Sequence, residues 1–348
     1  METDTLYMQR CIDLAMTGLG YVAPNPMVGA VLVADNTIIG EGYHQKYGGH
    51  HAEVNAIESV NDKTLLRKAT LYVNLEPCCH HGKTPPCTDI IAQNQIPQVV
   101  IGTVDPFDAV AGKGIAKLRS KGCNVILGIL KEESRELNKR FFTFHEKKRP
   151  YVILKWAQSA DGFIDINRKP NAEKRPTWIT SEKLRMLVHK WRTEEASIMV
   201  GTQTALKDNP RLNIRDWKGS SPTRIVIDKK LKLSSDYYLL DNSHSTLVIN
   251  ELENKTNGLT RFIKTDKNTN IVRFVLDMLY EEGIQSLFVE GGRQLLQSFI
   301  DEGSWDEARI FAGRQFFGNG IGAPTLRNVK NRKQINIGNE LLYWIRNT

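Results

Sequence analysis

The chain has 348 residues, an apolar fraction of 41%, a charged fraction of 25% and a formal net charge of +8, values typical of a globular protein. At this length two domains are expected rather than a single core. No uninterrupted apolar run of about 18 residues is present, so a membrane span is not expected. The first residues lack the basic and apolar regions of a secretory signal.

The positive charge is scattered along the chain, which suits an anionic small substrate or cofactor. The tightest basic cluster, Lys147-Lys148-Arg149, falls where a linker is expected. No stripe of alternating basic and aromatic residues indicates an RNA surface. Five cysteines, two of them in a metal-binding pattern, leave no disulfide framework. We therefore expect a cytoplasmic protein with neither nucleic acid nor membrane as a partner.

Helical and strand patterns alternate in the first half of the chain. A helix is predicted over 6–17, and two β-rich runs, 28–34 and 37–43, flank the hairpin turn Asp35-Asn36. Further helices are predicted over 51–60, 87–93, 114–121 and 131–144, and further strands over 71–75, 99–102 and 124–127. These elements predict a layer of strands with helices on its faces, which is an α/β sandwich.

A second α/β pattern begins after Arg149-Pro150. Strands are predicted over 151–156, 197–200, 224–227, 246–249 and 285–289, and helices over 181–193, 202–206, 271–282 and from 293 onward. The polar stretch 251–270 is predicted to be a loop or an irregular sheet edge. We therefore expect two α/β domains, over 1–146 and 147–348.

The most informative motif is His51-Ala52-Glu53, followed by Pro77-Cys78 and Pro86-Cys87. One imidazole and two thiolates suit a tetrahedral Zn²⁺ whose fourth position is open to water. A metal ion lowers the pKa of bound water toward neutrality, and the adjacent glutamate is placed to carry protons. Zinc nucleobase deaminases use this arrangement, with the glutamate as acid and base and not as a ligand.

The predicted elements bring these residues to suitable positions. His51 and Cys87 fall at helix starts, and Cys78 follows a strand. A helix N-terminus stabilises negative charge and therefore favours the thiolate of Cys87. His80 and His81 are alternative ligands, and ordinary buried thiols are the alternative for both cysteines.

A strand leading into Glu290-Gly291-Gly292 and a helix from Arg293 forms the pattern of a phosphate cradle. Backbone N–H groups at a helix start point at anions, and glycine allows a ligand to approach closely. The pattern lacks the G-x-G-x-x-G spacing of the dinucleotide fingerprint, so an ordinary tight turn is the alternative. Glu290 at the strand end is either a ligand-facing carboxylate or a solvated one.

These motifs resemble those of the bifunctional riboflavin-biosynthesis deaminase/reductase family. The segments that carry the resemblance are 24–30, 42–44, 50–53 and 76–87 in the first half, and Lys155, 159–162, 178–181, 208–210, 225–228 and 289–292 in the second. They cover nearly the whole chain. The resemblance implies an N-terminal cytidine-deaminase-like α/β/α sandwich and a C-terminal dihydrofolate-reductase-like α/β domain.

The resemblance also implies two successive reactions. The first is the zinc-dependent hydrolytic deamination of a 2,5-diamino-6-ribosylamino-pyrimidinone 5′-phosphate. The second is the reduction of the ribosyl group of the resulting 5-amino-6-(5-phosphoribosylamino)uracil to ribityl by NADPH. Apolar domain faces and the habit of the family favour a homo-oligomer.

By resemblance, His51, Cys78 and Cys87 hold zinc and Glu53 moves protons. Lys155 is the candidate acid or electrostatic aid to reduction, with a snorkelling lysine as the alternative. Substrate contacts are implied at Asn25, His44, Lys83, Thr84, Pro176, Arg192, Leu212, Arg215 and Glu290. NADPH contacts are implied at Gln158, Trp178, Thr204, Asp208, Lys229, Gly292, Arg293, Gln294, Leu295, Leu296, Gln297 and Ser298. Gln158, Pro176 and Lys229 depart from the residues common in the family, so contacts there would differ or use backbone atoms.

Two other functions fit parts of the sequence. One is a tRNA or free-base deaminase with an unrelated C-terminal domain, but such enzymes usually have two residues between their cysteines, whereas eight separate Cys78 from Cys87. The other is a non-catalytic protein with structural zinc. A closed structural site wants four protein ligands, and Glu53 would then have no role.

Overall fold

The computed structural model describes residues 2–82, 85–169, 173–327, 329 and 331–347. Contacts divide the chain into two compact units, Met1–Lys148 and Arg149–Thr348. The first unit is built on a five-stranded sheet and the second on a ten-stranded sheet.

The first unit begins with a helix and a hairpin, α1 (Glu2–Met16), β1 (Gly29–Ala34) and β2 (Thr37–Tyr43). It continues with α2 (Ala52–Ser59), a short 3₁₀ helix (Lys63–Lys68), β3 (Thr70–Leu75), α3 (Cys87–Gln93), β4 (Gln98–Thr103), α4 (Lys113–Ser120), β5 (Asn124–Leu127), α5 (Lys131–Leu137) and α6 (Lys139–Lys147). The strand order is β2-β1-β3-β4-β5; β1 is antiparallel to both its neighbours, and β3, β4 and β5 are parallel.

Strand β1 shows why this sheet is covered on both faces. Successive side chains of a strand point to opposite faces, and β1 contains only small and aliphatic residues. Ala30 and Leu32 join the core that includes Ile57 of α2, whereas Val31 and Val33 join the core that includes residues of α1. The result is a three-layered α/β/α sandwich.

The predicted single helix over 131–144 is wrong. The segment forms two helices, α5 and α6, because Asn138 leaves helical geometry (φ −100°, ψ 23°). The buried amide of Asn138 instead donates to the carbonyl oxygen of Met27 and accepts from its N–H group, both at 2.8 Å. A long-range interaction therefore overrides the local helical pattern.

The second unit contains most of the strands. Its elements are β6 (Tyr151–Gln158), β7 (Phe163–Asp165), α7 (Glu182–Thr193), β8 (Ser197–Gly201), α8 (Thr202–Asp208), β9 (Thr223–Ile227), a short 3₁₀ helix (Tyr238–Leu240), β10 (Thr246–Asn250), β11 (Lys255–Asn257), β12 (Thr260–Lys264), α9 (Ile271–Glu281), β13 (Ser286–Gly291), α10 (Arg293–Asp301), β14 (Glu307–Ala312), β15 (Ile321–Gly322), β16 (Asn331–Ile337) and β17 (Glu340–Arg346). The order of the main sheet is β11-β12-β10-β9-β8-β13-β6-β14-β17-β16, and β7 pairs with β15 separately.

The connections of the large sheet create a crevice between β8 and β13. Strands β12, β10, β9, β8, β13, β6 and β14 run parallel. The chain leaves β8 toward β9 on one side, whereas it leaves β13 toward β14 on the other. In α/β proteins, ligands bind at such a switch point, outside the C-terminal ends of the strands.

The stretch 251–270 lies at one edge of this sheet. The sheet-edge interpretation is correct, but the stretch also contains the regular strands β11 and β12. The polar and asparagine-rich composition gave no strand pattern, because strands near a sheet edge bury little side-chain surface. None of the helices in the described residues has both the length and the apolar character needed to cross a membrane.

Candidate active sites

The first site lies where α2, α3 and the end of β3 meet. The Nδ1 atom of His51 is 3.3 Å from Cys87 Sγ and 3.6 Å from Cys78 Sγ. The candidate ligand atoms of these three residues all lie within 4.8 Å of one another. His51 occupies the N-cap of α2 without using its imidazole as a cap, so the ring remains directed at the two cysteines.

These separations fit a tetrahedral zinc ion. Ordinary Zn–N and Zn–S bond lengths place ligand nitrogen and sulfur atoms about 3.6 Å apart. The cluster contributes three protein ligands from the described residues, the number used by catalytic zinc sites. The backbone N–H of Cys87 donates to Cys78 Sγ (3.3 Å) at the start of α3, and this contact stabilises a thiolate.

The electrostatics of the cluster follow from the hydrogen bond between its two cysteines and from the burial of Glu53. The hydrogen bond from Cys87, with smaller effects of His51 and the Cys87 amide, lowers the pKa of Cys78 to about 4. The same bond raises the pKa of Cys87. Glu53, in the first turn of α2, is only 3% exposed, and burial raises the pKa of its carboxyl group.

Two predicted substrate residues lie beside the cluster. His44 Nδ1 contacts the carbonyl oxygen of His50 (2.9 Å), and Asn25 Nδ2 contacts His44 Nε2 (3.0 Å). A carbonyl accepts only, so Nδ1 carries the proton and Nε2 accepts from Asn25. The His44 ring stands edge-on to His51, with centroids 5.4 Å apart. The structure thus brings Asn25 and His44 to the cluster of candidate zinc ligands.

The loop that carries Asn25 is held by two buried amides that the sequence analysis missed. Asn138 makes two hydrogen bonds with the backbone of Met27. Asn74 donates to the Met27 carbonyl (3.1 Å) and accepts from Gly29 N–H (2.8 Å). Both side chains are at most 2% exposed. For Asn138, the one available signal of such a role was its position inside a predicted helix. Asn74 offered no such signal.

Asn138→Ala should loosen this loop. The N–H group of Met27 would remain buried without its partner, which costs about 1–3 kcal/mol, and the Met27 carbonyl oxygen would keep only the hydrogen bond from Asn74. We expect a lower unfolding temperature and slower deamination, with unchanged reduction when the deaminated substrate is supplied. Thermal unfolding and separate assays of the two reactions test this. Equal losses in both activities of a folded variant would contradict it.

Other residues near the motif lie apart from the cluster. Cys79 Sγ contacts the Ala109 carbonyl oxygen (3.8 Å), and the His80 ring packs near Phe107. Among the described residues, His80 and His81 do not join the three candidate ligands. The predicted substrate residues Lys83 and Thr84 lie outside the described residues.

The second site is a cavity of about 1410 Å³ in the second unit. Its size exceeds that of ordinary single-ligand pockets, roughly 300–1,000 Å³, and suits a dinucleotide together with a substrate. The predicted residues that line it are Lys155, Pro176, Trp178, Arg192, Thr204, Asp208, Leu212, Arg215, Lys229, Glu290, Gly292, Arg293, Gln294, Leu295, Gln297 and Ser298.

Two predicted cofactor residues lie elsewhere. The side-chain oxygen of Gln158 accepts from Trp156 Nε1 (2.9 Å), and Gln158 is not among the described residues that line the cavity. Leu296 is 1% exposed and packs in the hydrophobic core beneath the sheet, because the helical periodicity of α10 turns it away from the cavity.

A buried charge cluster lies at the centre of the cavity wall. Arg192 donates to both carboxylate oxygens of Glu290, at 2.6 and 2.9 Å. Lys155 Nζ is 3.7 Å from Glu290 Oε2. The pairing register between β13 and β8 shifts at Glu290, and such irregularities re-aim side chains next to active sites.

These charges set the protonation states of the cluster. Burial acts to raise the pKa of Glu290, but Arg192 and Lys155 outweigh it and lower that pKa to about 2. Burial lowers the pKa of Lys155, an effect that Glu290 partly offsets and Arg192 reinforces. The two cations therefore favour the ionised form of the Glu290 carboxylate, and burial weakens the hold of Lys155 on its proton.

The turn before α10 fits the phosphates of a dinucleotide. Gly292, the N-cap of α10, has φ +76°, a conformation that favours glycine. A β-carbon there would lie 3.0 Å from Thr204 Oγ1, so a side chain at this position would press on Thr204 and take up space at the cavity wall. The N–H groups at the start of the nine-residue helix α10 point toward that space. These features agree with an NADPH site.

His189 is a further residue of the cavity wall that the sequence analysis missed. Its Nδ1 atom accepts from the backbone N–H of Arg215 (3.3 Å). Burial, followed by the charge of Arg192, lowers the pKa of His189 to about 4, so the ring is neutral and can accept this bond. In the sequence, His189 falls within the helix predicted over 181–193, and nothing there marked it as a site residue.

Comparison with known protein families gives two matches that follow each other along the chain. Residues 1–103 match the cytidine and deoxycytidylate deaminase zinc-binding region. Residues 150–341 match the RibD C-terminal domain. The second match alone spans more than half of the chain.

Individual proteins give the same result. The riboflavin biosynthesis protein RibD of Aquifex aeolicus is 38% identical, with 99% of each chain covered. RibD of Escherichia coli is 32% identical, with 91% of this chain and 89% of that protein covered.

Solved structures of related proteins also resemble this chain over nearly its whole length. The diaminohydroxyphosphoribosylaminopyrimidine deaminase/5-amino-6-(5-phosphoribosylamino)uracil reductase of Thermotoga maritima superimposes with a TM-score of 0.88, at 40% identity and with 99% of each chain covered. RibD of Acinetobacter baumannii gives a TM-score of 0.87 at 29% identity, again with 99% of each chain covered. The predicted fold class, a cytidine-deaminase-like unit followed by a dihydrofolate-reductase-like unit, is confirmed.

Proposed function

Because the chain belongs to the RibD family of bifunctional riboflavin-biosynthesis enzymes, we propose that the two sites described above carry out its two reactions. The enzyme is a zinc-dependent pyrimidine deaminase and an NADPH-dependent reductase. We assign deamination to Met1–Lys148 and reduction to Arg149–Thr348. The observation that carries the assignment is the convergence of His51, Cys78 and Cys87 beside the buried Glu53.

The substrates follow from the family. The enzyme removes ammonia hydrolytically from 2,5-diamino-6-ribosylamino-4(3H)-pyrimidinone 5′-phosphate. It then reduces the ribosyl group of 5-amino-6-(5-phosphoribosylamino)uracil to ribityl. Both substrates are small phosphorylated pyrimidines, in agreement with the cationic side chains that line the second cavity.

Deamination needs a residue that moves protons. His51, Cys78 and Cys87 would hold the zinc ion, which would lower the pKa of the water that attacks the ring. Glu53 takes a proton from this water and returns protons to the ring nitrogen and the departing ammonia. Burial suits this role, because a raised pKa makes the Glu53 carboxylate a stronger base toward the water, so that it takes up the proton that it later returns.

Asn25 and His44 position the pyrimidine. The hydrogen bond from Asn25 to His44 and the buried clamp on Met27 leave the Asn25 amide with little freedom. A fixed amide recognises a pyrimidine edge because it can both donate and accept hydrogen bonds.

Reduction uses the charge cluster on β6, α7 and β13. NADPH supplies the hydride, and the protein positions and polarises the substrate. Lys155 supplies positive charge beside the reacting carbon of the opened ribosyl group, while Glu290 holds Lys155 and Arg192 in place. Arg192 donates to Glu290 through Nε and Nη2 and to the Asn213 carbonyl oxygen through Nη1. Arg215 is therefore the better placed of the two arginines for the substrate phosphate.

The alternative of a tRNA or free-base deaminase with an unrelated C-terminal domain is not favoured, because the family match continues through residues 150–341.

We further propose that the enzyme works in the cytoplasm as a homo-oligomer without a nucleic-acid partner. Its five cysteines are free, in agreement with a reducing compartment. Light scattering on the purified protein tests the oligomeric state, and a monomeric mass would contradict the proposal.

One incubation tests the proposed function. Purified enzyme with the diaminopyrimidine phosphate and NADPH should release ammonia first and oxidise NADPH afterwards, with the ribityl compound as the product. Ammonia release without NADPH oxidation would contradict the reductase assignment. NADPH oxidation without ammonia release would contradict the deaminase assignment.

The pH dependence of reduction should identify Lys155. Since burial lowers its pKa, reduction should decline at a pH below the ordinary lysine range, as the ammonium loses its proton. Glu290→Gln removes the negative charge that favours the ammonium, so the alkaline limb of kcat/KM should move to lower pH. Stopped-flow oxidation of NADPH across alkaline pH measures this. A limb that stays in place or moves upward would contradict the assignment.

A further inference from the structure

The guanidinium of Arg168 lies in the wall of the reductase cavity and joins separate parts of the second unit. Its Nε and Nη2 atoms donate to Asp165 Oδ1 at the end of β7, at 3.2 and 3.0 Å. Its Nη1 atom donates to the backbone carbonyl oxygens of Arg175 (2.7 Å) and Lys207 (3.1 Å). Arg175 belongs to the segment before α7, and Lys207 to the last turn of α8.

Two more contacts complete the surroundings of this guanidinium. Nη2 donates to Thr177 Oγ1 (3.3 Å) and forms an ion pair with Asp208 Oδ1 (2.8 Å). The Thr177 hydroxyl in turn donates to Asp165 Oδ1 (2.6 Å). The side chain of Arg168 is only 10% exposed.

This arrangement excludes direct binding of a ligand phosphate by Arg168. A guanidinium has five N–H groups, and Arg168 makes five hydrogen bonds within the protein. Its role must therefore be exerted through the residues that it holds. Those residues include or adjoin Pro176, Trp178 and Asp208, which the family resemblance assigns to ligand contacts.

We propose that Arg168 is a positioning residue for the reduction, because it holds the segment 175–178 and the C-terminal end of α8 against β7 and so fixes the cavity wall. The proposal rests on the reductase function proposed above. It names a residue outside the contacts implied by resemblance and outside the charge cluster of Glu290.

The charges explain why an arginine is needed. The carboxylates of Asp165 and Asp208 both approach the same Nη2 atom, and like charges this close repel unless a cation lies between them. Two backbone carbonyl groups also depend on Nη1. A lysine ammonium has three donors on a flexible stem and cannot reproduce the planar fork.

The test compares Arg168→Ala and Arg168→Lys with the unmodified full-length enzyme. Calorimetry with NADP⁺ alone should show a dissociation constant raised by about 10- to 100-fold in Arg168→Ala, because small misplacements of a binding wall cost up to about 100-fold. KM for NADPH should rise in parallel, and Arg168→Lys should recover part of the loss. Added guanidinium ion should restore binding partly in Arg168→Ala. Deamination should not change.

Arg273→Ala is the matched control. Arg273 is 80% exposed on α9 and pairs only loosely with Asp277, at 3.6 Å, so NADP⁺ binding should stay at the unmodified level. A folded Arg168→Ala enzyme with unmodified NADP⁺ affinity and KM would overturn the proposal.

Thr177→Val keeps the proposal testable if Arg168→Ala fails to fold. It removes the hydroxyl between Asp165 and Arg168 while all charges remain, and a smaller rise in KM and in the NADP⁺ dissociation constant is expected. Unchanged values in this variant would overturn the proposal. If the unmodified enzyme did not reduce the deaminated substrate, the proposed function would fail instead.

Discussion

Replacing Glu53 by Gln is expected to slow deamination by about 100- to 10,000-fold, the range that general acid–base catalysis contributes. The amide keeps the shape and most of the packing of the buried side chain but cannot accept and return protons. Because Glu53 is not among the three candidate ligands, zinc should remain bound. The decisive measurements are the rate of ammonia release and the metal content of the same sample.

The reductase provides the internal control for this variant. With the deaminated pyrimidine supplied directly, Glu53→Gln should oxidise NADPH at the unmodified rate, because we assign the two activities to different units. Loss of zinc in the variant would show that Glu53 is a ligand. Deamination at the unmodified rate would refute its role in proton transfer.

The second large effect is expected for Arg192→Ala in the reductase unit. Removal of one partner from a buried ion pair costs about 3–5 kcal/mol, because the remaining charge is left uncompensated. Glu290 would retain only Lys155, at 3.7 Å, and the lysine would be drawn from its place beside the substrate. This cost of about 3–5 kcal/mol falls on folding stability. Reduction should fall by about 100-fold, the effect on rate of a misplacement of about 1 Å.

Arg215→Ala separates the two arginines. If Arg215 binds the substrate phosphate and Arg192 mainly orders Glu290, Arg215→Ala should raise KM for the pyrimidine phosphate more than it lowers kcat. Arg192→Ala should lower kcat. Deamination should persist in both variants, and its loss together with reduction in a well-folded protein would contradict the assignment of the activities to separate units.

Local sequence patterns accounted for most of the fold. The hairpin turn Asp35-Asn36 adopts left-handed backbone geometry at both positions (φ 51° and 59°), as two-residue hairpin loops require. The helix from Cys87 to Gln93 and the strand from Asn124 to Leu127 have the predicted limits. These elements are specified by residues within them, so periodicity and turn chemistry suffice to locate them.

The failures have a common physical cause. Asn138 interrupts a helix because its amide bonds Met27, which lies 111 positions earlier in the chain. Strand β12 pairs in parallel with β10, and β11 pairs antiparallel with β12 at the sheet edge. Neither contact leaves a periodic trace in the local sequence.

The same distinction holds for the sites. The candidate zinc ligands and Glu53 could be proposed from the sequence because the chemistry of deamination requires those residue types in that order, and the structure brings the three candidate ligands together. Arg168, Asn74 and His189 act on backbone groups of distant residues. Such positioning residues have no sequence motif, because different side chains at different positions could form the same hydrogen bonds with the backbone.

Removal of zinc tests the central claim most directly, because it should separate the two reactions in one protein. After chelation and desalting, the enzyme should release no ammonia from the diaminopyrimidine phosphate and should oxidise no NADPH with that compound. It should still oxidise NADPH when the deaminated pyrimidine is supplied, and added Zn²⁺ should restore the full sequence. Ammonia release by the metal-free enzyme, or loss of reduction with the deaminated substrate, would contradict the account.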